Sequence, residues 1–154
     1  MTSTRLRLVE AADDGLLVGQ DWPLIPDAEY FATCTGWETV NIFRSAKLFL
    51  HFQIISGPHT GRRIFMPFAV AALIGKPGSG GRFKMARRSK LALALGRLTG
   101  ERLRGDRVSL QWLTHCVFKV RTRTIKRDFQ QRELAPALRY TVVDEILTIE
   151  AGEQ

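Results

Sequence analysis

The chain has 154 residues, which fits one domain and is long enough to bury a core without a disulfide or a structural metal. Apolar residues make up 45% of it, which argues against a wholly disordered chain, and no run approaches the roughly 18 apolar residues that a membrane span needs. The formal net charge of +8 favours an anionic partner such as nucleic acid. These features predict a soluble, cytoplasmic, single-domain protein.

The N-terminal stretch, residues 1–26, is predicted to form a loosely structured arm, because it lacks an apolar period and ends in two proline-containing steps. A single domain is predicted over residues 27–150, followed by a short tail, residues 151–154. The two cysteines, Cys34 and Cys116, are too few for a disulfide framework. They are predicted to be buried, reduced thiols.

From residue 27 onward the pattern is that of β-strands. Residues 29–37 are rich in aromatic and β-branched side chains, and residues 41–55 give the clearest strand. Its alternation places one set of side chains on the core face and a second set opposite. The core set is Leu48, Leu50, Phe52 and Ile54, and the opposite set is Lys47, Phe49, His51 and Gln53. A turn signal at residues 56–61 and a returning strand at residues 62–68 predict a hairpin.

The second half of the chain predicts one helix and two further strands. The glycine-rich residues 75–81 indicate a flexible loop, and residues 84–99 a helix, because leucines recur on one face and Gly100 follows. Residues 116–127 and 139–150 indicate strands. The sum is a mainly β fold of about five strands with one principal helix between strands three and four, which predicts an OB-like β-barrel.

The strongest indication of a binding surface is a row of cations on the strand that starts at Cys116. Alternation places Lys119, Arg121 and Arg123 on one face, about 6.5–7 Å apart. Like charges in such a row repel unless an anion lies across them. The row therefore predicts contacts with successive phosphates, and an ordinary solvated face is the alternative.

A second group of cations precedes and enters the predicted helix. No acidic residue interrupts it before Glu101, whereas most solvated helices interleave glutamates with their cations. The alternative is a solubilising basic helix. The group comprises Arg82, Lys84, Arg87, Arg88, Lys90 and Arg97.

Aromatic side chains near these cations predict stacking on nucleobases. Phe49 shares its face with Lys47 and His51, and Phe65 follows Arg62 and Arg63. Core packing is the alternative for each ring. The complete predicted nucleic-acid-binding set is Lys47, Phe49, His51, Arg62, Arg63, Phe65, Lys84, Arg87, Arg88, Lys90, Arg97, Lys119, Arg121 and Arg123.

Catalytic signatures are weak in this sequence. His51, His59 and His115 lack metal-ligand spacing, and the glycine-rich residues 75–81 do not follow the order of a phosphate-binding loop. No pair of carboxylates falls in a common loop. The sequence therefore predicts a protein that is not an enzyme and that has no catalytic residue, metal or cofactor.

The order of the motifs resembles that of a known family. Glu29-Tyr30 begins a strand, Lys47-Leu48-x-Leu50-x-Phe52-x-Ile54 leads into Gly57-x-x-x-Gly61-Arg62, a short helix ends in Leu98-Thr99-Gly100, and a late strand holds Tyr140-Thr141-Val142-Val143-Asp144. Over residues 28–147 this order resembles small phage and mobile-element proteins, formerly described as a domain of unknown function and regarded as single-stranded-DNA-binding. That family more often has Tyr-Ser where this chain has Tyr140-Thr141, and an acidic tail where this chain ends only mildly acidic.

The resemblance implies an OB-like barrel that coats single strands during replication, recombination or transfer of a phage or mobile element. Together with the cations, it predicts a non-catalytic single-stranded-DNA-binding protein without a membrane partner. The alternatives are binding of RNA or duplex DNA by shape, and a basic adaptor module for an acidic protein. A nuclease would need a carboxylate cluster, and pairing of strand edges leaves a homo-oligomer open.

Overall fold

The computed structural model describes residues 22–99, 109–128 and 130–152. This part of the chain is mainly β with one α-helix, as predicted, but it holds eight strands rather than about five. The strands are β1 (Glu29–Ile42), β2 (Ser45–Ile54), β3 (Arg63–Ala69), β4 (Ala72–Ile74), β5 (Gly78–Ser79), β6 (Arg82–Lys84), β7 (Cys116–Ile125) and β8 (Tyr140–Gly152). The α-helix, α1, is Lys90–Thr99, and short 3-10 helices cover Gly57–His59, Gln111–His115 and Pro136–Leu138.

The five longer strands form one antiparallel sheet in the order β3-β2-β1-β7-β8. The small β5 pairs with β1, and β4 pairs with β6 in a separate ribbon. Strands β7, β1, β2 and β3 follow the spatial order of a Greek key, in which the fourth strand returns beside the first. In chain order, α1 lies between the third and fourth of the long strands.

The five long strands of the described residues form an open sheet and not a closed barrel, which differs from the predicted OB-like β-barrel. The two edge strands, β3 and β8, contact each other, but no ladder of backbone hydrogen bonds joins them. Three register shifts along the β7–β8 pair disrupt its ladder locally and increase the twist of the sheet. Side-chain packing, including that of Phe65 with Val142, joins β3 to β8 in place of hydrogen bonds.

The main core lies on one face of this sheet and under α1. Leu48, Leu50 and Phe52 of β2 are fully buried, as alternation predicts, and Leu91 and Leu95 of α1 pack into the same cluster. A second, smaller cluster lies on the opposite face of β2 and β3. Both faces of β2 are therefore covered.

The helix begins six residues later than predicted. Lys84 is the last residue of β6, and Ser89 caps α1 by accepting a hydrogen bond from the backbone N–H of Ala92 at 3.1 Å. The ribbon of β4 and β6 takes up the start of the predicted helix. That ribbon is too short for its alternation to show in the sequence.

Residues 22–26, placed in the predicted arm, contact β8. Ile25 is 3% exposed and belongs to the main core. The Thr141 hydroxyl accepts a hydrogen bond from the Ile25 N–H (2.9 Å) and donates one to the Ile25 carbonyl (3.0 Å), and the Thr141 N–H donates to the Pro23 carbonyl (2.9 Å). The rest of the predicted arm, residues 1–21, and the tail residues 153 and 154 lie outside the described residues. No helix within the described ranges is long and apolar enough to cross a membrane.

The strand predicted over residues 41–55 is divided by a tight turn. Phe43 and Arg44 connect β1 to β2 with φ angles of 49° and 66°, so two non-glycine residues occupy the left-handed region. Hairpin turns of this kind favour Asn-Gly, which explains why Phe43-Arg44 gave no turn signal.

This turn gives a first prediction. Replacing Arg44 by glycine should raise the free energy of unfolding by about 1 kcal/mol, because glycine adopts a left-handed φ without the Cβ clash. Urea unfolding of Arg44→Gly against Arg44→Ala measures the effect, since alanine removes the same guanidinium but keeps the clash. Equal stabilities for the two variants would contradict it.

Candidate nucleic-acid interface

The cations of β7 do not form an unpaired row. Lys119 Nζ lies 3.2 Å from Glu29 Oε1, and Arg123 Nε lies 2.9 Å from Asp144 Oδ1. Arg121 pairs with Glu145 and lies 3.9 Å from Asp144. The neighbouring strands β1 and β8 supply an acidic partner for each of these cations, so no external anion is needed to offset their repulsion.

Arg97 is also paired. It bridges α1 to β8 by donating to Glu145 Oε2 at 2.9 Å and to the carbonyl of Ile146 at 2.7 Å. Exposed pairs of this kind contribute about 0–1 kcal/mol each, so they fix side-chain positions more than they stabilise the fold. A phosphate would have to displace a carboxylate to reach any of these cations.

An open groove of about 550 Å³ lies between α1 and β8 and is lined by both apolar and charged side chains. Its lining residues are Met66, Lys90, Leu93, Ala94, Arg97, Asp144, Glu145 and Ile146. The carboxylates of Asp144 and Glu145 repel phosphate. Of the lining residues, only Lys90 is included in the candidate interface described below.

The two predicted stacking residues are buried. Phe49 is 2% exposed and Phe65 is 1% exposed, so their predicted accessibility is wrong, while their part in binding stays a prediction. Alternation correctly separates them from the main core, but the second cluster covers their face. The Phe65 ring centroid lies 4.7 Å from that of Phe49 and 6.1 Å from that of Tyr140, with which it stacks at 19°.

Trp22 lies over this cluster and was missed from the sequence. Its ring centroid is 4.5 Å from that of Phe65 and 5.9 Å from that of His51, with which it stacks at 17°. The half-buried His51 is held in place by Glu38, whose Oε1 lies 2.6 Å from its Nε2. Trp22, His51 and Tyr140 are half-buried and form the accessible edge of the aromatic cluster. No local pattern connects Trp22 with strands that begin more than twenty residues later.

Cations lie at both ends of the same face of β2 and β3. Lys47 pairs in register with Ala69 at one end of the hairpin, and Arg63 pairs with Gln53 at the other, with Arg62 beside it. None of the three makes an ion pair with a described residue. Phe49 follows Lys47 on this face, and Phe65 follows Arg63, each at a spacing of about 6.5–7 Å. We call this surface the β2–β3 outer face; it comprises Lys47, Phe49, His51, Arg63 and Phe65.

A run of exposed cations adjoins one end of this face. We call it the basic segment; it comprises Arg82, Lys84, Arg87, Arg88 and Lys90, which are all exposed and form no ion pair with a described residue. Two backbone hydrogen bonds place it beside the start of β2, from Ala71 N–H to the Lys84 carbonyl (2.8 Å) and from Val70 N–H to the Ala46 carbonyl (3.1 Å). The basic segment is therefore connected through residues 70 and 71 to the start of β2, where Lys47 lies.

The thiols and the other ionisable groups form no reactive cluster in the parts of the chain that the structure describes. Cys34 and Cys116 are buried and unpaired, as predicted, and burial raises the pKa of Cys34 to about 11. That thiol is protonated at neutral pH and so a poor nucleophile. No group of three or more His, Cys, Asp or Glu side chains among the described residues is arranged to hold a metal ion.

The chain was compared with known proteins. No family model matches it, and neither does any curated protein or solved structure.

The aromatic cluster gives a prediction on pH. Burial raises the pKa of Tyr140 to about 12, and the Arg123 guanidinium only partly opposes this. The folded protein thus keeps the phenolic proton between pH 10 and 12, where the unfolded chain loses it. Stability falls as the pH rises through that window, by up to about 1.4 kcal/mol per pH unit. Urea unfolding at pH 9, 10 and 11 should show a shallower decline for Tyr140→Phe; equal declines would contradict the assignment.

Proposed function

We propose that this chain is a non-catalytic single-stranded-DNA-binding protein that coats single strands in replication, recombination or transfer of a phage or mobile element. The observation that carries the proposal is the β2–β3 outer face, where aromatic rings lie between cations and adjoin the basic segment. Proteins that bind single strands combine cations along the backbone path with aromatic rings on which bases stack.

The strand order supports an OB-like assignment. The OB-fold is a partly open, five-stranded Greek-key barrel, and its ligands lie on the face of strands two and three. Here the five long strands include a Greek key and leave β3 and β8 without a hydrogen-bonded seam. The candidate interface lies on the second and third of these strands, which is the surface that OB-folds use.

A single strand fits this surface better than a duplex. Phe49 and Phe65 are buried, so the half-buried ring of His51 is the stacking surface of this face. Stacking on it requires an exposed base face, which a duplex buries within its own stack. Recognition of a duplex would instead need an element that enters a groove or a surface that follows its shape. The β2–β3 outer face offers neither a protruding helix nor a long unpaired ribbon.

Fluorescence anisotropy with a labelled dT oligonucleotide tests this function. Binding should weaken with salt at a log–log slope of about −0.7 for each phosphate neutralised, which gives about −3 to −6 if four to eight cations engage. Duplex DNA should compete poorly for the protein. Competition by single-stranded RNA shows whether the protein distinguishes ribose from deoxyribose. Equal competition by duplex would favour recognition by shape, and no binding at low salt would point to an acidic protein partner.

A further inference from the structure

Trp22 is held at the aromatic cluster by an anchor that does not include its own side chain. Pro23 and Ile25 are tied to Thr141 of β8 by three hydrogen bonds. The indole lies just before this anchor, at the edge of the described residues. Rotation of one residue would therefore move the ring while the anchor stays in place.

The indole makes ring contacts where it lies, but its N–H makes no hydrogen bond to a described residue. It stacks on His51 and packs against Phe65, but its Nε1 is buried and has no hydrogen-bond acceptor within the described residues. A buried donor without a partner opposes the packing that holds the ring. The contact is thus favourable for the apolar part of the ring and unfavourable for its N–H.

The site that the indole occupies has the chemistry of a base-stacking site. His51 offers a flat ring that Glu38 fixes in orientation, and Phe65 is backed by the stacked ring of Tyr140. Lys47 and Arg63 lie at the two ends of the face, about 20 Å apart along the hairpin, so a single strand several nucleotides long could contact both through its phosphates. An indole and a nucleobase are both flat, conjugated ring systems that carry an N–H.

We infer that Trp22 occupies, in the free protein, the stacking site that a base of single-stranded DNA takes in the complex. The indole is an internal competitor, and a bound strand displaces it from His51 and Phe65. This inference rests on the proposed function and adds to it the position of one base and a reason for limited affinity. If only a fraction of the protein molecules have the stacking site open, the apparent affinity for DNA is reduced by that fraction.

Binding of labelled dT to Trp22→Ala tests the inference. Removing the competitor should tighten binding about tenfold, and Trp22→Phe, which keeps one ring, should fall between that variant and the wild type. Leu24→Ala is the matched control, because Leu24 is an exposed neighbour in the same segment and should leave the affinity unchanged. Tighter binding by Trp22→Ala than by the wild type supports the inference even if the wild type binds too weakly to measure.

Acrylamide quenching supplies a readout that does not depend on the alanine variant. The quenching of Trp22 is the difference between the wild type and Trp22→Phe, and it should increase when dT is saturating. A decrease would show that the indole stacks on the bound base, and would overturn the inference. Wild-type binding with no gain in Trp22→Ala would also overturn it, while leaving the proposed function intact. No binding by either protein would overturn both.

Discussion

Alanine at all five positions of the basic segment should reduce the salt slope of dT binding by about 3.5, at about 0.7 for each cation removed. At 0.1 M salt this corresponds to an affinity loss of up to about a thousandfold relative to the wild type. The effect is large because these side chains are exposed and form no ion pair with a described residue, so each is available to a phosphate. Anisotropy titrations at four or more salt concentrations measure both quantities.

The matched control is the triple variant Lys119→Ala, Arg121→Ala, Arg123→Ala. It also removes exposed cations, but these are paired with Glu29, Asp144 and Glu145. Its salt slope should stay within about 0.7 of the wild type, because a paired cation releases little additional counterion. A large change in the control with none in the basic-segment variant would move the interface to β7.

Thr141→Val should lower the free energy of unfolding by about 2–4 kcal/mol. Thr141 is fully buried, and its hydroxyl serves both the N–H and the carbonyl of Ile25. Valine has nearly the same shape, so little packing is lost, but two buried backbone groups are left without a partner at about 1–3 kcal/mol each. Urea unfolding followed by far-UV circular dichroism measures the loss.

Two control variants test whether the loss of stability comes from the Thr141 hydroxyl itself. Thr141→Ser keeps both hydrogen bonds and should lose about 1 kcal/mol for the missing methyl group. Thr148→Val lies on the same strand but is exposed, and should change the stability by less than about 0.5 kcal/mol. If Thr141→Val were as stable as Thr148→Val, the attachment of residues 23–25 to β8 would be wrong.

The alternation of apolar residues and the turn residues were sufficient to predict much of the sheet. The period-2 pattern correctly located the body of β2, and the glycine turn before Arg62 correctly predicted the β2–β3 hairpin. The leucine period placed Leu91 and Leu95 against the core. These features depend on neighbours in sequence, which is why the sequence reveals them.

Features that depend on contacts between residues far apart in the chain could not be predicted from local sequence patterns. The partners of Arg121 and Arg123 lie on β8, and their proximity depends on a register that three shifts alter. Burial of Phe65 depends on Trp22 and Tyr140, which lie far from it in the chain. Local patterns in the sequence therefore do not show the acidic partners of the β7 cations or the burial of Phe49 and Phe65.

The most direct test of the central claim is photocrosslinking of a bromodeoxyuridine oligonucleotide to the wild-type protein, with the linked peptides identified by mass spectrometry. A single strand on the β2–β3 outer face should crosslink to peptides that contain His51 or Phe65, and excess unlabelled dT should abolish the product. Crosslinks confined to β7 and β8, under conditions where the oligonucleotide is fully bound, would contradict the assignment.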